Sequence, residues 1–444
     1  MTKRPASSDT PEVITLGCRL NAYESAQMRA LGVAAGVSDA VVINTCAVTN
    51  EAVRQARQTI RKTRRADPDR KIIVTGCAVQ IDPEAFAAMD EVDAVLGNIE
   101  KLDAKSWVAL GRGAAPGVSD IMQADYVTRA ELPAPPPQMI TRAHVQVQNG
   151  CDHRCTFCII PFGRGNSRSV SPEDVVTEIR GLVAAGVPEI VITGVDITSW
   201  GADLDGAPQL GELIHRILLD VPELPQLRLS SIDGAEIDPR LFELITQHPR
   251  IAPHIHLSLQ AGDNMILKRM KRRHTREDAI RLCQDIRAAR PEMVFGADII
   301  AGFPTETEQM FEQSLSLIDE CGLTYTHVFP YSARTGTPAA KMPAVNGRDI
   351  KARAARLRAK GDQALGAFLA SQINQVGRVL TEKPKRNEQS QLIGMGRLAN
   401  FAEVKFTAED EKLLQAGQFV DVDLIRHDAA HLFGTAQKLS EIRI

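Results

Sequence analysis

The stretch Asn149–Ile160, NGCDHRCTFCII, constrains this chain more than any other. It carries Cys151, Cys155 and Cys158 in a CxxxCxxC spacing, with no fourth cysteine nearby. Three thiolates in one flexible loop can each hold one iron of a single 4Fe-4S cluster and leave the fourth iron open to an outside ligand. A structural zinc demands four closed ligands, so a zinc knuckle is the weaker reading of these residues.

A loop of this kind needs a rigid strand behind it, and Ala143–Gln148 precedes it as an apolar, β-branched run. Further strand candidates follow at Glu189–Thr193, Gln226–Ser230, His254–Leu259, Val294–Ile300 and His327–Pro330. Between them lie amphipathic helical patterns such as Pro172–Ala185, Arg276–Arg290 and Glu308–Glu320. Six β/α units predict an open, partial (β/α)6 TIM-type barrel, whose chemistry belongs at the C-terminal rim of its strands. Cys283 and Cys321 fall in helical patterns and read as structural.

The N-terminal region, about 11–130, reads as a Rossmann-like open parallel sheet. Its β-branched runs Val13–Leu16, Ala40–Asn44 and Lys71–Thr75 are each followed by a cysteine: Cys18, Cys46 and Cys77. Loops after parallel strands gather at one sheet edge, so three thiols distant in sequence are aimed at one crevice. A second three-cysteine cluster site is the expectation. Buried unrelated cysteines are the plainer alternative.

Arg54, Arg57, Arg61 and Arg65 recur at helical spacing in a run without acids, and Lys268, Arg269, Lys271, Arg272 and Arg273 form a second basic stretch. Both predict contact with a polyanion, although many charged helices are merely solvated. Glu131–Gln138, ELPAPPPQ, reads as a proline-rich linker within 131–140, followed by a second unit over about 141–370. A basic helical pattern at Arg348–Lys360 leads on. From about 371 to 444, short alternating segments predict a small antiparallel β-barrel, with Lys383, Lys385 and Arg386 in its first loop as RNA contacts.

Over 444 residues, 44 % hydrophobic and 24 % charged, the composition is that of an ordinary soluble protein of two or three domains. The net charge of −3 does not by itself favour or exclude nucleic acid. The polar opening MTKRPASSDTPE predicts no secretory signal, and no run reaches the roughly 18 apolar residues of a membrane span. Eight cysteines without a signal favour a reducing cytoplasm over a disulfide framework.

On a barrel rim, the CxxxCxxC loop resembles that of the radical S-adenosylmethionine (SAM) enzymes, in which the open iron chelates the methionyl part of SAM. The resemblance offers Thr193, Gly194, Ser230, Ser231, Gln260, Asp298 and Gly302 as contacts for its amino-acid and ribose ends. Phe157 and Phe303 lie beside it, Phe157 as a platform for adenine. The whole chain, from about Val13 to Ala436, resembles the methylthiotransferases: an N-terminal cluster domain, a radical SAM barrel and a C-terminal TRAM barrel. LGCRLNAYES, VINTCAVTNEA, GCDHRCTFCIIPFGRG, HLSLQAGDNMILKRMKRRHT, DIIAGFPTETE and HVFPYSARTGTPAAKMP look most like the MtaB branch. The C-terminal barrel departs most from the family pattern.

That branch modifies threonylcarbamoyladenosine next to the tRNA anticodon, placing a methylthio group on C2. The resemblance implies two 4Fe-4S clusters and SAM. It further implies an electron donor such as flavodoxin or ferredoxin, a sulfur donor and the tRNA anticodon stem-loop as partners, and no membrane. A 5′-deoxyadenosyl radical attacks the base, the cluster on Cys18, Cys46 and Cys77 supplies sulfur, and a second SAM gives the methyl group. No catalytic side chain is expected beyond the cluster ligands. The alternatives are an enzyme of isopentenyladenosine tRNA (the MiaB type), a methylthiotransferase of a ribosomal-protein aspartate, and a non-catalytic iron–sulfur or RNA-binding protein.

Overall fold

A computed structural model describes residues 10–127, 141–386 and 390–437. The proline-rich stretch lies outside the described residues. The N-terminal strands Glu12–Thr15, Ala40–Thr45, Lys71–Gly76 and Ala94–Val95 form one sheet in which every neighbouring pair is parallel. Ala40–Thr45 is buried at every position, because helices cover both faces of the sheet. Val41 and Ile43 pack with Ile60 of the helix Asn50–Ala66. On the other face, Val42 packs with Met28 of the helix Arg19–Ala34 and with Trp107.

The central region contains the parallel strands Arg142–Gln146, Glu189–Thr193 and Gln226–Leu229, followed by Ser231–Ile232, His254–Gln260, Val294–Ala301 and Leu323–Pro330. Ser230 interrupts the third strand, yet its N–H still reaches the Ile192 carbonyl at 3.0 Å, so the wall continues across the break. The result is an open six-unit barrel. Helices such as Pro172–Ala184, Arg276–Ala289 and Glu308–Glu320 pack outside it over Ile190, Ile192, Leu227, Leu257 and Phe295. The helix Gly347–Ser371 runs far beyond the predicted Lys360, and its Leu369 enters the core of the C-terminal unit. Among the described residues, no helix is long and apolar enough to cross a membrane.

The C-terminal strands Val376–Arg386, Leu392–Leu398, Glu403–Thr407, Phe419–His427 and His431–Ala436 close into a barrel. It is not wholly antiparallel, since Glu403–Thr407 and His431–Ala436 pair in parallel. Lys383, Lys385 and Arg386 also lie within the first strand rather than in a loop. Pro384 has no N–H to give to a ladder, and the register shifts between Glu382 and Lys385, so the strand passes the proline as a bulge.

The turn between the second and third C-terminal strands carries Phe401, at φ 77°. Its ring enters the N-terminal mouth of the central barrel. It stacks on His254 at 5.2 Å between centroids and meets Tyr325 edge-on at 6.5 Å. The guanidinium groups of Arg397, Arg228, Arg19 and Arg142 lie 4.4, 4.9, 5.6 and 5.9 Å from its centre. Glu189, fully buried, pairs with Arg142 at 2.6 Å and Arg228 at 2.8 Å, while Glu382 takes Arg142 at 2.9 Å and Arg397 at 3.4 Å. One aromatic ring thus joins three parts of the chain through cation–π contacts. Phe401→Ala is expected to cost about 2 kcal/mol, less than truncation of a fully buried phenylalanine, because the ring is half-buried. A lowered unfolding midpoint, with early proteolytic release of the C-terminal barrel, checks this.

Candidate functional site: two cysteine triads

The first triad leaves the C-terminal end of the first barrel strand. Gly150, at φ 76°, makes the turn; a Cβ there would lie 1.8 Å from the Asn166 carbonyl oxygen, so only glycine fits. The loop is tight: the Cys158 N–H donates to the Cys155 carbonyl at 3.0 Å, and the Cys151 N–H to that of Gly165 at 3.1 Å. Arg272 is buried beneath it, donating to Asp233 at 2.8 Å and the Ser258 carbonyl at 2.7 Å, with the Cys155 Sγ at 3.7 Å. His153 lies 2.9 Å from Asp196 and 3.4 Å from Glu236; hydrogen bonds to these two carboxylates raise it to about 10.

The second triad is built by the N-terminal sheet. Cys18 precedes the helix Arg19–Ala34, Cys46 follows the second strand, and Cys77 opens the short helix Cys77–Ile81. Gly17, at φ 97°, lets the first loop pass the second; a Cβ there would lie 2.9 Å from the Cys46 Sγ. The Cys46 thiol is close enough to Cys77 and Cys18 that each opposes its ionisation. The helix Ile160–Arg164, which begins two residues after Cys158, lies against the second triad. Gly163 lies against Cys77, and Arg164 places its Nε 3.1 Å from the Cys77 Sγ.

The donor sets fit iron–sulfur clusters. Burial pushes the Cys46 and Cys158 thiols up to about 11 and raises Cys151 as well, so these sulfurs stay protonated until a metal displaces the proton. The guanidinium beside each triad would offer positive charge to a thiolate-bound cluster. Cys283 and Cys321 are fully buried in the barrel core and touch only each other among the thiols.

The SAM-assigned residues divide. Thr193, Gly194, Ser230, Ser231, Gln260 and Gly302 all sit at strand ends on the same rim as the first triad, Gln260 and Gly302 with positive φ. Asp298 lies within its strand, next to Ile299, which pairs with Gln260. Burial opposes its ionisation, yet His256 at 2.9 Å and His327 at 3.3 Å hold it well below the ordinary carboxyl range. Phe303 is fully buried and packs edge-on against Phe157 at 6.4 Å and Tyr331 at 5.6 Å, so it is a core residue. Phe157 shares that apolar cluster.

The basic stretches are less free than their sequence suggests. Arg54 pairs with Glu51 at 2.5 Å, Arg57 lies 4.0 Å from Asp82, Arg61 lies 3.7 Å from Glu91, and Arg65 bonds to the Arg61 carbonyl at 3.3 Å. In the second stretch, Arg269 binds Thr305 at 2.8 Å, and Arg273 binds Glu236 at 2.6 Å and His153. Lys268, Lys271, Lys383 and Lys385 are exposed, while Arg386 bonds to the Ser390 carbonyl at 2.6 Å. Sequence reasoning missed Asn21, Glu24, Lys101 and Arg164. The signal was present in LGCRLNAYES and GRG, where polar residues follow the cysteines into buried helices.

Residues 145–318 match the radical SAM superfamily, and residues 10–97 match a family described as uncharacterized protein family UPF0004. The threonylcarbamoyladenosine tRNA methylthiotransferase MtaB of Rickettsia prowazekii is 48% identical over 93% of this chain and 94% of its own length. That of Bacillus subtilis is 34% identical over 93% of each. A tRNA-2-methylthio-N(6)-dimethylallyladenosine synthase of Cereibacter sphaeroides is 34% identical over 89% of this chain and 95% of its own. Among solved structures, the radical SAM methyltransferase TsrM of Kitasatospora setae superposes with a TM-score of 0.51, at 18% identity over 70% of this chain and 66% of that one, a likeness of fold alone. Near-full-length identity to two MtaB proteins, on a barrel that carries its cysteine loop at the expected rim, decides the matter: the chain belongs to the radical SAM methylthiotransferases, on their MtaB branch.

Proposed function

We propose that this chain places a methylthio group on C2 of N6-threonylcarbamoyladenosine next to the anticodon of tRNA, in the cytoplasm. The observation that carries the reading is the presence of two cysteine triads, each with an arginine at one sulfur, joined by the helix Ile160–Arg164 that follows the first and contacts the second. An adenine C2–H is inert to an ordinary base or nucleophile, so it requires a radical and a separate source of sulfur. Cys151, Cys155 and Cys158 would hold one 4Fe-4S cluster and Cys18, Cys46 and Cys77 a second; with SAM they supply one-electron chemistry and sulfur respectively. The polypeptide's share is binding, orientation and exclusion of water. Gly150 and Gly17 allow the close backbone approaches, and the rim residues Thr193, Gly194, Ser230, Ser231, Gln260 and Gly302 suit SAM. The electron comes from a donor such as flavodoxin or ferredoxin, and the sulfur from a donor outside the chain.

The exposed lysines Lys268, Lys271, Lys383 and Lys385 support contact with tRNA phosphates, in the last two on a barrel of TRAM type. The anticodon stem-loop is the partner that this reading requires.

Anaerobic reconstitution is expected to give about eight irons per chain, falling to about four in Cys18→Ala and in Cys151→Ala. In a strain lacking the gene, nucleoside mass spectrometry is expected to show loss of the methylthio-threonylcarbamoyl nucleoside and accumulation of its precursor; an unchanged level overturns the tRNA reading. Changing Lys383 and Lys385 together to Ala should weaken tRNA binding across sequences and lower the salt slope by about 2, at roughly one unit per lost phosphate contact. Binding titrations between low and moderate salt measure that slope.

A further inference from the structure

The end of the helix that follows the first cysteine loop reaches into the N-terminal domain. Arg164 is nearly fully buried, and its guanidinium uses both faces of its fork there. Nε donates to the Cys77 Sγ at 3.1 Å, and Nη2 donates to Asn21 at 2.5 Å and to Glu24 at 3.0 Å. Nη1 donates to the other oxygen of Glu24. The same carboxylate takes the Lys101 Nζ at 2.6 Å, and neither Glu24 nor Lys101 has any exposed side-chain surface. Two buried cations therefore share one buried carboxylate, leaving one positive charge unmatched.

A buried unpaired charge is strongly unfavourable, so the arrangement needs an anion within reach. The sulfur at 3.1 Å is the atom placed to provide it. An oxidised four-iron core carries two positive charges, and three thiolates bring the unit to one net negative charge, which matches the surplus. Adding an electron makes the unit more negative opposite a fixed cation. Net charge and hydrogen bonds to sulfur are two of the factors that set the potential of such a centre.

We propose that Arg164 is a positioning residue through which the radical SAM domain grips and tunes the cluster of the N-terminal domain. Its buried cationic network with Lys101 and Glu24 raises that cluster's reduction potential. The inference rests on the second cluster being held by Cys18, Cys46 and Cys77. Lysine in place of Arg164 keeps the charge but loses the planar fork, so charge and hydrogen bond are separable.

The test uses the full chain carrying Cys151→Ala, Cys155→Ala and Cys158→Ala, so that only the N-terminal centre remains. Iron content is measured first, then the potential by a redox titration followed by electron paramagnetic resonance. Arg164→Gln is expected to lower the ratio of reduced to oxidised cluster at fixed potential by at least tenfold, about 59 mV for a one-electron couple. Arg164→Lys is expected to fall between. Lys101→Met, which leaves the sulfur contact in place, is expected to shift the potential the same way and decides the matter if the Arg164 variants lose iron. Four irons with an unmoved potential in Arg164→Gln, or an unmoved potential in Lys101→Met, overturns the proposal. Absence of iron from the triple-alanine parent instead refutes the second cluster itself.

Discussion

Parallel strand pairing is the constraint on which everything else in this molecule depends. Thr45 pairs with Gly76 across two adjacent strands, so the residues that follow, Cys46 and Cys77, leave the sheet side by side. Thr15 pairs with Asn44 on the next strand out, which brings Gly17 and Cys18 to the same edge. A register slip of one residue would turn these side chains to the opposite face and scatter the thiols. Continuous burial of Ala40–Thr45 fixes the register from both sides, so the apolar core of the sheet, far from the sulfurs, holds them together.

The central barrel applies the same rule with a different division of labour. Its three thiols come from one loop, so no strand register has to align them. What must be fixed is the loop's path, and Gly150 with its neighbours does this through backbone contacts to Gly165 and Asn166. The same contacts bring the helix Ile160–Arg164 against the N-terminal domain, where Asn98 donates to the Gly163 carbonyl. The two sites are therefore coupled mechanically: the chain that closes the first triad supplies a wall of the second.

Features set by local pattern were legible in the sequence, and features set by partners from distant segments were not. Cysteine spacing and β-branched runs located both triads and nearly every strand, because those signals need no knowledge of neighbours. The run Arg54–Arg65 contains no acid, but Asp82 and Glu91 come from later segments to face it. Asp298 reads as a free carboxylate in the sequence, whereas two histidines from adjacent strands meet it. Phe401 lies in a turn of ordinary composition, and only assembly of the two barrels with the N-terminal helix shows that four arginines surround it. Lys383 and Lys385 read as loop residues in the sequence, whereas the first strand continues past Pro384 by way of a bulge.

The chemistry of the two basic residue types explains which positive charges remain for a polyanion. In the stretch Lys268–Arg273, each guanidinium has a partner in the protein: Arg269 meets Thr305, Arg272 Asp233 and the exposed Arg273 Glu236. The ammonium groups of Lys268 and Lys271 stay exposed. A planar fork is weakly hydrated and satisfies a carboxylate with two parallel bonds, so it gains by leaving water; an ammonium is strongly hydrated and does not. The division repeats in the C-terminal barrel, where Arg397 binds Glu403 at 2.5 Å while Lys383 and Lys385 remain exposed. In both stretches, arginine has been used to hold the protein to itself, and lysine is left where a phosphate could replace water.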